Sequence, residues 1–298
     1  MNLRVMITGC EGQVGRELTT LLNDVGMDVK KFNRSELDIK NRRAVFDTLH
    51  HVKPNILVNC AAYTAVDKAE DEVELAMAIN SDGPANLSAA TSEIGIPIIQ
   101  ISTDYVFDGE KIGQYQEDDF TSPLGAYGKS KLLGEQLCAQ FNPCHIILRT
   151  SWIFSKYGHN FVKTIARLSQ EREELRIVAD QIGCPTSARE IARAIYSIIT
   201  KRVYGKEGIY HFCQPESVSW YEFACEIVSM ARSLDYPVKC KNIVPIKTSE
   251  YPTSAKRPAN SVLNCEKITN IFGLKIPNWE DSLKDVLMEG KNEESNHK

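Results

Sequence analysis

A phenol and an ammonium stand four residues apart in Tyr127-Gly128-Lys129-Ser130-Lys131. On a helix, positions i and i+4 share one face, so Tyr127 and Lys131 would point into the same space. A tyrosine at its ordinary pKa of about 10 is a poor acid-base catalyst at neutral pH. A neighbouring Lys⁺ favours the phenolate and draws that pKa toward working range. Such a pair can deliver a proton to a carbonyl oxygen while a hydride reaches the carbonyl carbon. The same spacing also suits two surface residues of an amphipathic helix. The surrounding chain decides between the two.

The stretch Leu3-Arg4-Val5-Met6-Ile7-Thr8 reads as a short apolar strand and runs directly into Gly9-Cys10-Glu11-Gly12-Gln13-Val14-Gly15. After it, Arg16 to Leu22 has apolar residues at helical spacing. Strand, glycine-rich turn and helix in that order suit a dinucleotide. Gly9, Gly12 and Gly15 would permit a tight turn, a close approach to a pyrophosphate and close helix–strand packing. The helix N-terminus would supply free N–H groups and a positive dipole end. The spacing is Gly-x2-Gly-x2-Gly rather than the commoner Gly-x-Gly-x2-Gly.

Further along, strand and helix signals alternate, which predicts an α/β fold: a Rossmann-type doubly wound parallel sheet with a smaller C-terminal substrate-binding lobe. Strands are expected at 27–33, 55–60, 97–102, 144–149 and 208–213, and helices at 41–52, 125–141, 160–169, 187–199 and 220–231. Two helices are expected between 66 and 94, broken near Ser81-Asp82-Gly83-Pro84, and 290–298 reads as a frayed polar tail. Residues 1–150 would bind NAD(P), and 151–298 would form the lobe, interleaved so that the boundary is approximate. In such a sheet, ligands bind outside the C-terminal strand ends. Those ends are Thr8-Gly9, Asn59-Cys60-Ala61-Ala62-Tyr63 and Ser102-Thr103-Asp104. Small Ala61 and Ala62 would let a flat cofactor approach. The Thr103 hydroxyl would donate to a ketone oxygen beside Tyr127.

Composition agrees. The 298 residues are 43% hydrophobic and 25% charged, ordinary for a soluble globular protein. A net charge of −4 gives no reason to expect nucleic acid or an anionic membrane as a partner. No apolar run is long enough to span a membrane, and the first strand leaves no room for a leader, so a cytoplasmic setting is expected. Nine scattered cysteines without a Cys-x2-Cys pair read as reduced thiols.

With these motifs placed, the chain resembles the extended short-chain dehydrogenase/reductases and, among them, the dTDP-4-dehydrorhamnose reductases. The resemblance covers nearly the whole chain. It is carried by 8–15, by Val58 to Glu70 with its Ala65-Val66-Asp67-Lys68-Ala69-Glu70 run, by Ser102 to Gly109, and by 127–131. Arg149-Thr150-Ser151-Trp152, Asp180 to Thr186 and Arg257-Pro258 add to it. It implies reduction of the 4-keto group of a dTDP-4-dehydro sugar. Tyr127 would donate the proton, Thr103 would hydrogen-bond the keto oxygen, and Lys131 would bind the nicotinamide ribose and tune Tyr127. It also implies substrate contacts from Asp104 and Trp152. Cofactor contacts would come from Gly12, Gln13 and Val14, from Asp38 and Ile39, and from Ala61, Ala62 and Tyr63, where many relatives carry histidine in place of Tyr63. Arg257 would pair with the diphosphate.

After the second strand comes Phe32-Asn33-Arg34, with no carboxylate before Glu36 to take a ribose 2′-OH. Arg34 would meet a 2′-phosphate, favouring NADPH, with NADH also usable. Some family members hold Mg²⁺ at a dimer interface with three glutamates. The matching residues here are Glu17, Glu190 and Glu289, which imply a homodimer and a cation with an assembly role. Rivals on the same scaffold are a 4,6-dehydratase, a 4-epimerase that keeps NAD⁺ bound, and a reductase of another nucleotide-linked sugar. A non-catalytic subunit resembling that of methionine adenosyltransferase also fits. A dehydratase wants an Asp-Glu pair after the threonine. Here Tyr105 follows Asp104.

Overall fold

The computed structural model describes residues 3–296, with side chains through Lys291. The first half runs β1 (Arg4–Thr8), α1 (Gln13–Asp24), β2 (Asp28–Phe32), α2 (Arg42–Val52), β3 (Ile56–Asn59), α3 (Val73–Met77), α4 (Gly83–Glu93), β4 (Ile98–Thr103), α5 (Ala126–Phe141) and β5 (His145–Thr150). The second half runs β6 (Ile153–Phe154), α6 (Phe161–Glu171), β7 (Glu174–Val178), β8 (Ile182–Gly183), β9 (Thr186–Ser187), α7 (Ala188–Thr200), β10 (Gly208–His211), β11 (Val218–Ser219), α8 (Trp220–Ser233), β12 (Asn242–Ile246), α9 (Glu266–Phe272) and α10 (Trp279–Asn296).

Six parallel strands form one sheet in the order β10-β5-β4-β3-β1-β2. The chain steps from β1 outward to β2 and then returns to β3 on the other side of β1. That reversal opens a crevice at the C-terminal ends of β1 and β3, where such sheets take their ligands. Every residue of β3 and β4 is buried, as expected for parallel strands covered on both faces. On one face, Val14, Leu18 and Leu22 of α1 meet Ile191, Ile195 and Ile198 of α7 over Val5, Ile7 and Val58. On the other, Val45 and Leu49 of α2 and Leu87 of α4 cover Met6 and Leu57. Local signals start and stop these helices. Asn41 caps α2 by accepting from the Ala44 amide at 3.1 Å, and Ser219 with Glu222 closes a capping box on α8.

A second apolar cluster lies outside the sheet and joins Phe154, Val162, Leu175, Phe223, Trp279 and Leu283. Around it β7 pairs with β12, in parallel, from Glu174 opposite Asn242 to Val178 opposite Ile246. Residues beyond 150 therefore serve both regions, because α7, β10 and α9 return to the sheet.

Two expectations change. No loop breaks the helices near 81–84: a π turn over Ala78–Asp82 carries α3 directly into α4. Pro84 falls in the first turn of α4, where a missing N–H is tolerated. The stretch 290–296 is helix rather than frayed tail, because Trp279, Leu283, Val286 and Leu287 anchor α10 to the second cluster. Residues 297 and 298 lie outside the described residues. Among the described residues no helix is long and apolar enough to cross a membrane.

Candidate active site

The glycine turn fits a dinucleotide on its own geometry. Gly9 adopts φ +66°, and a Cβ there would run into the Ala61 backbone. A Cβ at Gly15 would strike the Gly9 carbonyl, so α1 lies close against the end of β1. Gly12 is the N-cap of α1 and brings no side chain to its free amides. The N–H groups of Gln13, Val14 and Gly15 therefore begin the helix uncapped, as an anion site requires. The Gln13 side chain turns the other way, accepting from Ser155 Oγ (3.1 Å) and Asn160 Nδ2 (3.0 Å), and so ties the turn to the second half of the chain.

Beside this turn, Ala61 and Ala62 are half-buried at the end of β3, and the Ala61 amide donates to Asn59 Oδ1 at 3.1 Å. The Tyr63 hydroxyl donates to Glu72 at 3.0 Å. Its backbone is clamped by Asn80, which accepts from Tyr63 N (2.8 Å) and donates to Tyr63 O (3.0 Å). Asn80 also donates to Ser130 Oγ at 3.0 Å and so links the loop after β3 to α5. The sequence reading did not single out Asn80. Its signal was an asparagine inside a helical run, where that residue type competes with the backbone.

Ile39 is buried against Gly83, while Asp38 Oδ1 accepts the Lys40 amide at 3.1 Å. At the end of β2, Asn33 Oδ1 accepts from Ser35 N (2.9 Å) and Glu36 N (3.0 Å), and its Nδ2 donates to Glu11 (3.0 Å). This rigid turn leaves Arg34 exposed. Glu11 thus brings to the end of β2 a carboxylate that the sequence reading did not place there.

Thr103 ends β4 and Tyr127 opens α5. The Thr103 hydroxyl donates to Asp104 Oδ1 at 2.9 Å and accepts from Tyr105 N at 3.1 Å. Burial pushes the Tyr127 phenol up to about 12; the hydrogen bond with Thr103 opposes this and the Asp104 charge adds to it. This reverses the expected lowering by Lys131. The Lys131 ammonium is buried and donates to the Ile101 carbonyl at 2.6 Å, so in this geometry it does not offset the burial of the phenol. Burial draws Lys131 itself down to about 8, against the pull of Glu135 and Cys60. One turn beyond Lys131, Glu135 is paired with buried Arg149 at 2.7 Å.

Trp152 holds φ +44°, a strained conformation for a bulky residue. Its ring stacks on Trp220 with centroids 3.5 Å apart and an interplanar angle of 6°. Beyond Trp220 opens a cavity of about 380 Å³ lined by Phe161, Leu168, Arg172, Arg176 and Arg257. Arg257 is not a solvated cation. It forks onto Asp67 at 2.7 and 3.0 Å, which joins two segments that carried the family resemblance.

The three glutamates do not form a cation site. Glu17 and Glu289 both engage Arg189, at 3.4 and 2.7 Å, and Glu190 engages Arg193 at 2.6 Å. Guanidinium groups thus supply the positive charge a metal would bring. Among the described residues no group of three or more His, Cys, Asp or Glu side chains is arranged to hold a metal. Within one chain the three carboxylates are paired with arginines rather than gathered on a cation, so the Mg²⁺ expectation is not supported.

Residues 3–292 match the RmlD substrate binding domain family. A dTDP-4-dehydrorhamnose reductase of Aggregatibacter actinomycetemcomitans is 46% identical, over 95% of this chain and 98% of that protein. The chain belongs to the dTDP-4-dehydrorhamnose reductase family. Two solved reductases of this family superpose with a TM-score of 0.90. The one from Clostridium acetobutylicum is 40% identical over 96% of this chain and 98% of its own. The one from Bacillus anthracis, in complex with NADP, is 39% identical over 97% and 100%. A UDP-glucose 4-epimerase of Thermus thermophilus superposes with a TM-score of 0.81 at 17% identity, over 97% of this chain and 99% of its own, and shares the fold alone with the reductase family.

Proposed function

We propose that the chain reduces the 4-keto group of dTDP-4-dehydro-L-rhamnose to give dTDP-L-rhamnose, with NADPH as the preferred reductant. The observation that supports this is the pairing of Tyr127 with Thr103 at the end of β4, with Lys131 one turn along α5 and buried between Ile101 and Cys60, in a chain of this family. When bound, the nicotinamide supplies the hydride for C4. Tyr127 gives its proton to the C4 oxygen, and Thr103 hydrogen-bonds that oxygen. Lys131 holds the nicotinamide ribose. Gln13, Val14 and Gly15 receive the pyrophosphate through backbone amides, and Gly9 and Gly12 shape the turn that lets it approach. Asp38, Ile39, Ala61, Ala62 and Tyr63 line the remainder of the cofactor site.

On the substrate side, Asp104 and Trp152 contact the sugar and Arg257 the diphosphate. The division of labour follows the two apolar clusters: residues 1–150 carry the cofactor, and 151–298 build the substrate lobe while lending α7, β10 and α9 back to the sheet. The setting is cytoplasmic. The direct test incubates purified protein with NADPH and dTDP-4-dehydro-L-rhamnose, following loss of NADPH absorbance and identifying the product sugar. No NADPH consumption would overturn the assignment.

Cofactor choice has its own test. Exposed Arg34 follows β2 where only NADPH would offer a 2′-phosphate. Arg34→Ala is expected to raise the KM for NADPH about tenfold, the scale of one exposed charge-assisted hydrogen bond, and to leave that for NADH nearly unchanged. Equal effects on both cofactors would remove Arg34 from this role.

A further inference from the structure

Thr103 has one hydrogen to give. Its hydroxyl donates to Asp104 Oδ1 at 2.9 Å and accepts from the Tyr105 amide at 3.1 Å. Thr103 is 5% exposed and Asp104 2%, so solvent does not exchange freely for these partners. The second carboxyl oxygen, Asp104 Oδ2, is buried without a hydrogen-bond partner. Ser261 stands close enough to favour the carboxylate, but its hydroxyl is directed at the Ile182 carbonyl, 3.5 Å away. A buried carboxylate with an unpartnered oxygen is costly. The neutral acid has a hydrogen to donate, and Thr103 Oγ1 is the acceptor at hand.

A hydroxyl has one donor hydrogen and two lone pairs. With Asp104 ionised, the Thr103 hydrogen is committed to the carboxylate, and the free lone pair draws the Tyr127 hydrogen away from the substrate. With Asp104 protonated, both Thr103 lone pairs are filled, by the Tyr105 amide and the Asp104 acid. The Thr103 hydrogen is then free. We infer that Asp104 is a positioning residue that sets the direction of the Thr103 hydrogen, and that Thr103 reaches the keto oxygen as a donor only while Asp104 carries a proton. The inference rests on the reductase reading above.

Burial raises the Asp104 carboxyl to about 6, opposed by the nearby Ser261 hydroxyl, by Thr103 and by nearby backbone amides. The titratable groups facing it are Tyr105 on its own turn and Tyr127 on α5, both with pKa values raised by burial and therefore neutral at physiological pH. The Arg257–Asp67 ion pair acts on Tyr105. The donor-competent form is therefore full at low pH and is lost as pH rises through the Asp104 pKa.

Single-turnover NADPH oxidation at saturating keto sugar reads this directly. The wild-type rate is expected to fall about 10²- to 10³-fold between about pH 5 and about pH 8.5, the scale of one lost oxyanion donor. In Asp104→Asn the amide N–H donates permanently to Thr103, so the rate should be flat with pH and exceed wild type at the alkaline end. Thr103→Ser should keep the wild-type slope, and Thr103→Val should be slow and flat. A role for Asp104 in substrate contact alone would appear in KM and leave the slope in place.

A slope retained in Asp104→Asn, or an Asp104→Asn rate below wild type at high pH, would overturn the inference. Should that variant not fold, a slope retained in Thr103→Val overturns it equally. Infrared titration of the ligand-free protein is a readout independent of turnover. A protonated-carboxyl C=O band, absent in Asp104→Asn or in an Asp104→Glu-shifted position, is expected at low pH and gone at high pH. Absence of that band sinks the inference even if the sugar is reduced. Its presence without NADPH consumption sinks only the reductase reading.

Discussion

Tyr127→Phe is expected to keep the fold and cofactor affinity and to lose turnover by about 10²–10⁴-fold, the usual scale for removing a general acid. The ring itself is held by packing, including an edge-to-face contact with Tyr105 at 5.8 Å, and phenylalanine preserves it. Only the hydroxyl goes. A phenol pushed up to about 12 is neutral at pH 7, so in the proposed reaction it would enter holding its proton and give it up only to the strongly basic oxygen forming at C4. Thermal melting and NADPH fluorescence titration should match wild type while single-turnover reduction collapses. Near-normal turnover would leave Tyr127 without its assigned role.

Arg149→Met should act on folding instead. Arg149 and Glu135 are 2% and 3% exposed and joined through Nε and NH2 at 2.7–3.2 Å. Removing the guanidinium strands a buried carboxylate, which typically costs about 3–5 kcal/mol. On the scale of domains of similar size, that is a drop in Tm of roughly 10 °C. Neighbouring His211 cannot take over the charge, because burial and Arg149 draw its pKa down to about 3, and burial remains when Arg149 goes. Pairing the change with Glu135→Leu should recover much of the loss, since an apolar pair of similar volume often replaces a buried ion pair without penalty. A single Arg149→Met variant melting within a degree or two of wild type would refute this account.

The parts of the fold that announce themselves in sequence are those with dense local signals. β1 with its glycine turn and α1, the apolar Ile56-Leu57-Val58 run of β3, and the Tyr127/Lys131 helix need only their own residues to be read. β7 and β12 do not. Each is half-exposed, and each becomes a strand by pairing with a partner far along the chain. The π turn over Ala78–Asp82 was hidden for a related reason. It exists because Asn80 and Ser81 reach across to Tyr63 and Ser130, contacts no local pattern encodes.

At the site, residue types were legible but protonation and pairing were not. Spacing alone suggested that Lys131 would lower the Tyr127 pKa. Burial decided otherwise, and burial is a property of the packed chain. The glutamates expected to hold a cation proved to be paired with Arg189 and Arg193, whose own positions on α7 carried no motif.

The sixth strand has a consequence for how the protein is made. β10 lies against β5 with Gly208 opposite Ile146 and His211 opposite Arg149. On the ribosome, a nascent chain that has emerged only as far as residue 150 carries β5 as a bare hydrogen-bonding edge, and α7 is not yet there to cover Leu18 and Leu22. Unpaired edges and uncovered apolar faces recruit other chains. High contact order also slows the closure that would hide them. The first half of the chain therefore cannot mature ahead of the rest of the molecule. Chaperone demand should peak while residues 151 to 211 are being synthesised, and a stop codon or proteolytic nick in that interval should yield an aggregating fragment rather than a free nucleotide-binding module.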